Sequence, residues 1–523
     1  MLLLKSEDLR AWDRRTIESG HATGIELMRR AGHGVVEAIE RRYGSLLGLR
    51  ALVLCGTGNN GGDGCIAAVR LRERGATVRA VMMGDPERVR GDAATAFESL
   101  RDAGIPWSTA ATEADLTTAR RDADEWDLAL DGLLGTGARG APEGAIAAGV
   151  QALRELDELG TRVVAIDLPT GVDADTGEVA RRAVRADLTV TFGSPKRGHV
   201  LYPGRAFAGG LEVIDIGLLP HVADDAAWLV HWGTTAAAAA HLPRRDPRAH
   251  KASAGRVLVV GGSIGLTGAI ALTARAASRA GAGAVQVAVP TGLHDLMAAK
   301  LTEQMPVPCA ESAGRSLSLA AFDDIAPLLA RVDAAAVGPG LSRDGGAGAL
   351  ARRLISEAPC PLVIDADALN ALAGATELLA KAAGSRVLTP HLGEMARLTG
   401  LAPATLEATR IDAAGEWAQR WKVVLVLKGA PTVIAAADGR TLVNPNGNAG
   451  MATAGMGDVL TGTIAALIAQ GVGAFEAAVL GVHAHGAAGD LVAARRGMLG
   501  MTAGDVCEAL PLALQALERA RIH

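Results

Sequence analysis

The run ALVLCGTGNNGGDG at residues 51–64 decides how the first half of the chain folds. Its opening residues are apolar and β-prone, so Ala51 to Leu54 is predicted to be a strand. A glycine-rich loop follows from Gly56 to Gly64, and a helix is predicted to begin near Ile66. Glycines let the main chain approach a ligand, and the free amides at a helix start attract anions, so a unit of this kind can cradle a diphosphate. Any tight turn can satisfy a bare Gly-x-Gly-x-x-Gly spacing. The paired Asn59 and Asn60 and the acid Asp63 make this loop more particular.

Working outward, Thr77 to Met82, Leu128 to Asp131, Val163 to Asp167, Leu188 to Thr191 and Leu211 to Ile216 also read as strands, and amphipathic segments between the first four read as crossover helices. This predicts a mostly parallel sheet with helices on both faces, closing near Gly217. Prolines and charges from Leu242 to Arg248 mark a connection. A second series then begins: Arg256 to Val260, Ala284 to Val289, Ala334 to Val337, Pro361 to Ile364, Arg386 to Leu388 and Val423 to Leu427. From Asp458 onward the pattern is almost wholly helical. The glycine motifs of the two halves do not align with each other, so the chain reads as a fusion of two different α/β domains.

Bulk properties narrow the function. A chain of 523 residues has room for two to four domains. The net charge of -5 gives no reason to expect DNA or RNA as partner. The apolar run from Gly268 to Pro290 is broken by Arg275 and Arg279, and Met1 to Leu4 meets charge at once, so neither a membrane span nor a secretory signal is expected and a cytoplasmic location follows. The five cysteines form no Cys-x-x-Cys pair, which argues against a disulfide framework or structural zinc. With seven lysines against 45 arginines, a lysine inside a glycine-rich motif stands out. Small-molecule substrates and a homo-oligomer are expected.

In the first half, the segments Asp131 to Gly137 and Asp167 to Asp173 also follow strands, and the C-terminal edge of a parallel sheet is where such folds bind ligands. Asn60, Asp131 and Thr170 offer hard oxygens to a monovalent or divalent cation, while Asp167 and Lys196 are candidates to move protons. Taken singly, each acid is more often a helix cap or turn residue.

In the second half, Asn444 to Asp458 leads straight into an apolar helix. A Gly-x-Gly-Asp opening a helix turns free amides toward a phosphoryl group and sets a carboxylate beside it, the needs of phosphoryl transfer. The bland alternative is that Asp458 caps the helix. Upstream, Lys428, Gly429, Ala430, Pro431 and Thr432 follow a strand and suit a nucleotide phosphate. The motifs 261–269, 338–340, 365–370 and 390–394 complete a set of strand ends. His391, between Pro390 and Gly393, is by itself more often structural.

The loop 56–64, the segments 131–137 and 167–173 and the stretch Asp187 to Lys196 together resemble the NAD(P)H-hydrate epimerase family over about residues 1–217. This implies a Rossmann-like three-layer sandwich and a potassium ion held at Asn60, Asp131 and Thr170. It also implies hydrate binding by Asn59, Asn60, Gly61, Gly62 and Asp63, by Gly135, Thr136, Gly137, Ala138, Arg139, Gly140 and Ala141, and by Asp167. The chain departs from the pattern at Arg29 and Arg30, where an acid and an amide are usual, and at Thr170, where serine is. Residues 227–521 resemble the ADP-dependent NAD(P)H-hydrate dehydratases, a branch with a ribokinase-like fold. By that resemblance Ala269, Gly340, His391 and Asp458 contact the hydrated cofactor, Lys428 to Thr432 and Gly457 contact the adenine nucleotide, ADP is co-substrate and magnesium assists. Met456 and Leu266 stand where serine or threonine and tyrosine are common. The expected reaction has Asp458 as base at the dehydratase site and Asp167 as acid/base in epimerisation. The rival readings are a ribokinase-type small-molecule kinase and a non-catalytic nucleotide sensor.

Overall fold

The computed structural model describes residues 1–120, 125–219 and 230–522. The chain divides into two compact units, Leu2–Ala226 and Ala227–His523 together with Met1. The expected domain start at residue 227 lies outside the described residues.

In the first unit, seven strands form one sheet: β1 (Arg50–Cys55), β2 (Thr77–Met83), β3 (Trp107–Ala110), β4 (Leu128–Gly132), β5 (Arg162–Ile166), β6 (Leu188–Phe192) and β7 (Gly210–Ile214). Their order is β3-β2-β1-β4-β5-β6-β7, every pair parallel. The order reverses between β1 and β4, and ligands of such sheets bind outside the carboxyl ends of the strands at that switch point. Strands β1, β4 and β6 are buried almost throughout, as a sheet covered on both faces requires. Helices Gly24–Tyr43 and Asn59–Glu73 pack on one face, Gly144–Glu158 on the other.

The second unit is built on ten strands: β8 (Val230–Trp232), β9 (Arg256–Val260), β10 (Ala284–Pro290), β11 (Met305–Cys309), β12 (Ala334–Val337), β13 (Leu362–Ile364), β14 (Arg386–Leu388), β15 (Val424–Leu427), β16 (Val433–Ala435) and β17 (Thr441–Val443). The order is β11-β10-β9-β12-β13-β14-β15-β16-β17-β8. From β11 to β15 the pairing is parallel; β16 returns antiparallel, as does β17 against it. Here the switch point lies between β9 and β12. The apolar helices Met456–Ala469 and Ala474–Arg496 bury Ile464, Ala465, Leu467, Leu480 and Ala484 in the core of this unit.

Two expectations change. The helix after β1 begins at Asn59 rather than near Ile66, so Asn59 to Asp63 form its first turn. Strands β3, β8, β11, β16 and β17 add to the two predicted series. Among the described residues, one helix, Ala474–Arg496, has the length and apolar composition of a membrane span, and most of it is buried inside its unit as a core helix is.

Candidate active sites

In the first unit, register brings the loops together. Cys55 pairs with Gly132, so the residues that follow, Gly56 and Leu133, run side by side. A Cβ on Gly56 would lie 2.0 Å from the Leu133 carbonyl oxygen, and one on Gly61 would lie 1.8 Å from that of Gly56. Only glycine fits there, which is why the motif carries them. The loops border a cavity of about 750 Å³ lined by Thr57, Asn59, Asn60, Asp63, Gly135 to Ala138 and Asp167, with Asp13, Arg10 and Arg88 also on its walls.

Asp167 follows β5 with a left-handed backbone, φ 66°. Its carboxylate is gripped by the fully buried Lys196 ammonium and by the hydroxyl of Thr191 at 3.1 Å, and accepts from the Thr136 amide at 3.3 Å. Burial, the largest single effect, would push this acid up, but the Lys196 charge and hydrogen bond, with smaller help from His199 and the Thr136 amide, together outweigh it and hold Asp167 below the usual carboxylate range. Beneath it, the His199 ring lies 2.8 Å from the Asp167 carbonyl oxygen and accepts the Lys196 amide through Nδ1. Burial drives His199 down to about 3, so the ring is neutral and Nε2 is the donor. Asp63 is raised well above the normal range, first by burial and then by Asp167. On the walls of one cavity, then, Asp167 is shifted down and Asp63 up.

Of the three expected cation ligands, Asp131 and Thr170 are in direct contact, and Asn60 lines the cavity. Asp131 is fully buried, accepting from the Thr170 amide at 2.8 Å and from its hydroxyl at 2.7 Å. Burial lifts Asp131 to about 6. Asn60 is 8% exposed, and neither its amide oxygen nor its amide nitrogen has a hydrogen-bond partner. A buried amide in that condition is costly unless something else occupies the oxygen.

Not every expected contact converges. Gly61 and Gly62 are buried in the first turn of the helix, with Gly62 against Met28. Arg139 pairs with Asp175 at 2.9 Å and Asp173 at 3.5 Å, and Gly140 and Ala141 are exposed beyond it, off the cavity lining. The unusual Arg30 donates to the Ile216 carbonyl at 2.9 Å, and Arg29 is exposed.

In the second unit, Val260 pairs with Val337, Val337 with Ile364 and Ile364 with Leu388, so the ends of β9, β12, β13 and β14 stand in a row. A Cβ on Gly340 would meet the Leu266 carbonyl at 2.5 Å, which places the 261–269 and 338–340 loops in contact, with Ala269 in the first turn of helix Thr267–Arg279. Lys428, at the end of β15, donates to Asp365 at 2.9 Å and lies 3.9 Å from Glu394. Gly457 abuts it: a Cβ there would be 3.0 Å from Lys428 Nζ. Gly455 takes the left-handed conformation, φ 91°, and starts the helix in which Asp458 is the third residue. Asp458 makes no capping hydrogen bond there. Burial and the neighbouring Asp365 charge raise it to about 7 against the pull of Lys428.

His391 proves to be a capping residue as well as a rim residue. Its Nδ1 accepts from the Gly393 and Glu394 amides at 3.0 and 3.3 Å, while Glu394 returns a bond to the His391 amide. Burial and the Lys428 charge lower it, in keeping with an acceptor role. Sequence reasoning left Arg410 without a role. Buried in the helix Arg410–Trp421, it donates to the carbonyls of Lys428 and Pro431 and fills the space beside Gly429, fixing the Lys428 to Thr432 loop. Likewise Asp490 accepts from Gly447 and Asn448 and pins the polar 444–450 loop. Both sit inside ordinary helical patterns, where no local signal marks them.

Two α/β units, each with charged residues gathered at the carboxyl edge of its sheet and a poised carboxyl among them, define an enzyme of proton and phosphoryl chemistry on nucleotide-like ligands. The chain belongs to the bifunctional NAD(P)H-hydrate repair enzymes. Residues 257–512 match the family model described as NAD(P)H-hydrate dehydratase, and residues 24–198 that of the YjeF-related protein N-terminus. It is 44% identical to the bifunctional NAD(P)H-hydrate repair enzyme Nnr of Moorella thermoacetica, over 99% of this chain and 97% of the relative. Against the Escherichia coli enzyme of the same name identity is 34%, over 97% and 92%. Among solved structures, the ADP/ATP-dependent NAD(P)H-hydrate dehydratase of Bacillus subtilis, co-crystallised with ATP and Mg2+, is 30% identical with a TM-score of 0.49, covering 55% of this chain and 98% of that one.

Proposed function

We propose that the first unit interconverts the two epimers of hydrated NADH and NADPH, and that the second dehydrates one of them while converting ADP to AMP and phosphate. The observation that carries this reading is the placement of Asp458 in the first turn of a helix whose Gly457 abuts the half-buried Lys428; burial raises the carboxyl to about 7, which suits a general base at neutral pH.

Hydration puts a hydroxyl on ring carbon 6, a poor leaving group. Asp458 takes the hydroxyl proton as the oxygen bonds to the β-phosphorus of ADP and the bond to AMP breaks. Lys428 and the amides around Gly457 neutralise charge on the transferred group. The ring nitrogen lone pair then expels phosphate, and loss of a proton from the adjacent carbon restores the double bond. Among the described residues no group of three acids, histidines or cysteines could hold a metal by itself, so magnesium is assigned to the nucleotide as the counter-ion of its phosphates.

In the first unit, ionised Asp167 is the acid/base of epimerisation. Asn60, Asp131 and Thr170 would hold potassium, and the unpartnered buried amide of Asn60 fits that role. When bound, the cation would supply fixed positive charge near the carboxylates and the substrate.

Asp458→Asn tests the reading. Asparagine keeps size and capping ability but cannot take the proton. Single-turnover phosphate release should fall by roughly 10²–10⁴-fold with epimerisation intact. A variant within a few-fold of the parent removes Asp458 from the mechanism.

A further inference from the structure

We propose that Asp365, at the end of β13, is the positioning residue of the dehydratase site: it holds the Lys428 ammonium against the start of helix Met456–Ala469 and keeps a fixed negative charge behind Asp458. The inference rests on the reading of Asp458 as the base.

An aspartate directly before a helix ordinarily caps it. Asp365 is the residue before helix Ala366–Leu372, yet its side chain makes no capping bond. Both oxygens are spent elsewhere. Oδ1 accepts from Lys428 at 2.9 Å and Oδ2 from the Thr461 hydroxyl at 2.8 Å. At 2% exposure the carboxylate is out of reach of solvent, and so acts only through these partners.

The backbone is bent to aim it. Ala366 has φ 50°, a left-handed conformation that L residues avoid, and the Asp365 carbonyl presses on Gly338 so closely that a Cβ there would lie 1.9 Å away. Strain of this kind survives where the surroundings demand a particular geometry. Thr461 matters for the same reason: it sits one turn beyond Asp458 in the same helix, so its hydroxyl ties the carboxylate to the element that carries the base.

The electrostatics agree. Burial is the largest single effect on Asp365 and raises it, but the Lys428 charge, the Lys428 hydrogen bond and the Thr461 hydroxyl together outweigh burial and hold it below the usual range. Its charge in turn raises Asp458, on top of burial, while Lys428 opposes it. The other titratable groups around Lys428 are Glu394, 3.9 Å from the ammonium, His391, which burial and the Lys428 charge lower, and His485, which burial lowers to about 4 and leaves neutral. Removing Asp365 and removing Lys428 should therefore move Asp458 in opposite directions, which a merely structural pair would not do.

The test is kcat/KM for ADP-dependent dehydration of hydrated NADH against pH, measured on the purified full chain. In Asp365→Asn the acid limb is expected to move down by about one pH unit and kcat to fall at least about tenfold. In Lys428→Met the limb is expected to move up. Asp365→Glu keeps the charge and misplaces it, so kcat should fall while the limb stays near the parent's. If Asp365→Asn does not fold, Thr461→Val is decisive: it loosens the carboxylate without removing it, and kcat should drop severalfold. An Asp365→Asn limb coincident with the parent's, or a Thr461→Val variant of normal kcat, overturns the inference while leaving the proposed reaction standing. A parent that does not dehydrate the hydrate with ADP overturns the reaction and the inference together.

Discussion

Asp167 and Asp365 occupy matching positions in unrelated units: each follows a parallel strand, each is buried, and each is gripped by a lysine drawn from the seven in the chain. The lysines were conspicuous in the sequence because arginine supplies nearly all the other positive charge. Their partners were not, since Lys428 lies 63 residues beyond Asp365 and only the row of strand ends unites them. Lys196, by contrast, was read together with Asp167. On the proposed mechanism, Asp458 sets the pH dependence of dehydration. The base must be ionised, and it titrates at about 7, so kcat/KM is expected to level off above that pH and to fall about tenfold per unit well below it. A profile flat through the acid range would contradict the assignment. The cation assignment is tested separately: epimer interconversion should drop when potassium is replaced by a bulky organic cation, and an unchanged rate in thoroughly desalted protein would remove Asn60, Asp131 and Thr170 from that role.

At the level of elements, the central strands were legible because they are short apolar runs, most of them ending at glycine or aspartate. Those missed share a physical reason. Strand β3, with sequence WSTA, is a half-exposed margin of its sheet. The run MPVPC of β11 carries two prolines, tolerated because it too is an edge strand. Strands β16 and β17 are three residues each, as are β13 and β14, but they pair antiparallel beyond the alternating strand-helix series that made those legible. The loop before Met456 was legible through its glycines, and one of them gives a sharp expectation. Gly455 has φ 91°, and a Cβ would lie 2.7 Å from Leu272 and 2.9 Å from Ala503. Gly455→Ala should cost about 1–2 kcal/mol and displace the first turn that carries Gly457 and Asp458. Dehydration should fall steeply and epimerisation should not. Equal loss of both activities would mean that the substitution acts on the chain at large.

On the scale of the whole molecule, each unit has its own switch point, its own site and its own apolar core. We therefore expect residues 227–521, expressed alone, to dehydrate the reactive epimer at a rate near that of the full chain. An insoluble or inactive fragment would show that the units depend on each other. Division of labour gives the account its central claim, because a dehydratase that accepts one epimer can clear an epimeric mixture only if the other half supplies it. The most direct test mixes the purified chain with both epimers of hydrated NADH, excess ADP, magnesium and potassium, and follows NADH absorbance together with free phosphate and AMP. The account predicts that NADH returns from the whole mixture, with one phosphate and one AMP for each NADH formed. Recovery of only part of the mixture, fixed by its epimer ratio, would contradict the epimerase assignment, and AMP formed with neither phosphate nor NADH would contradict dehydration itself.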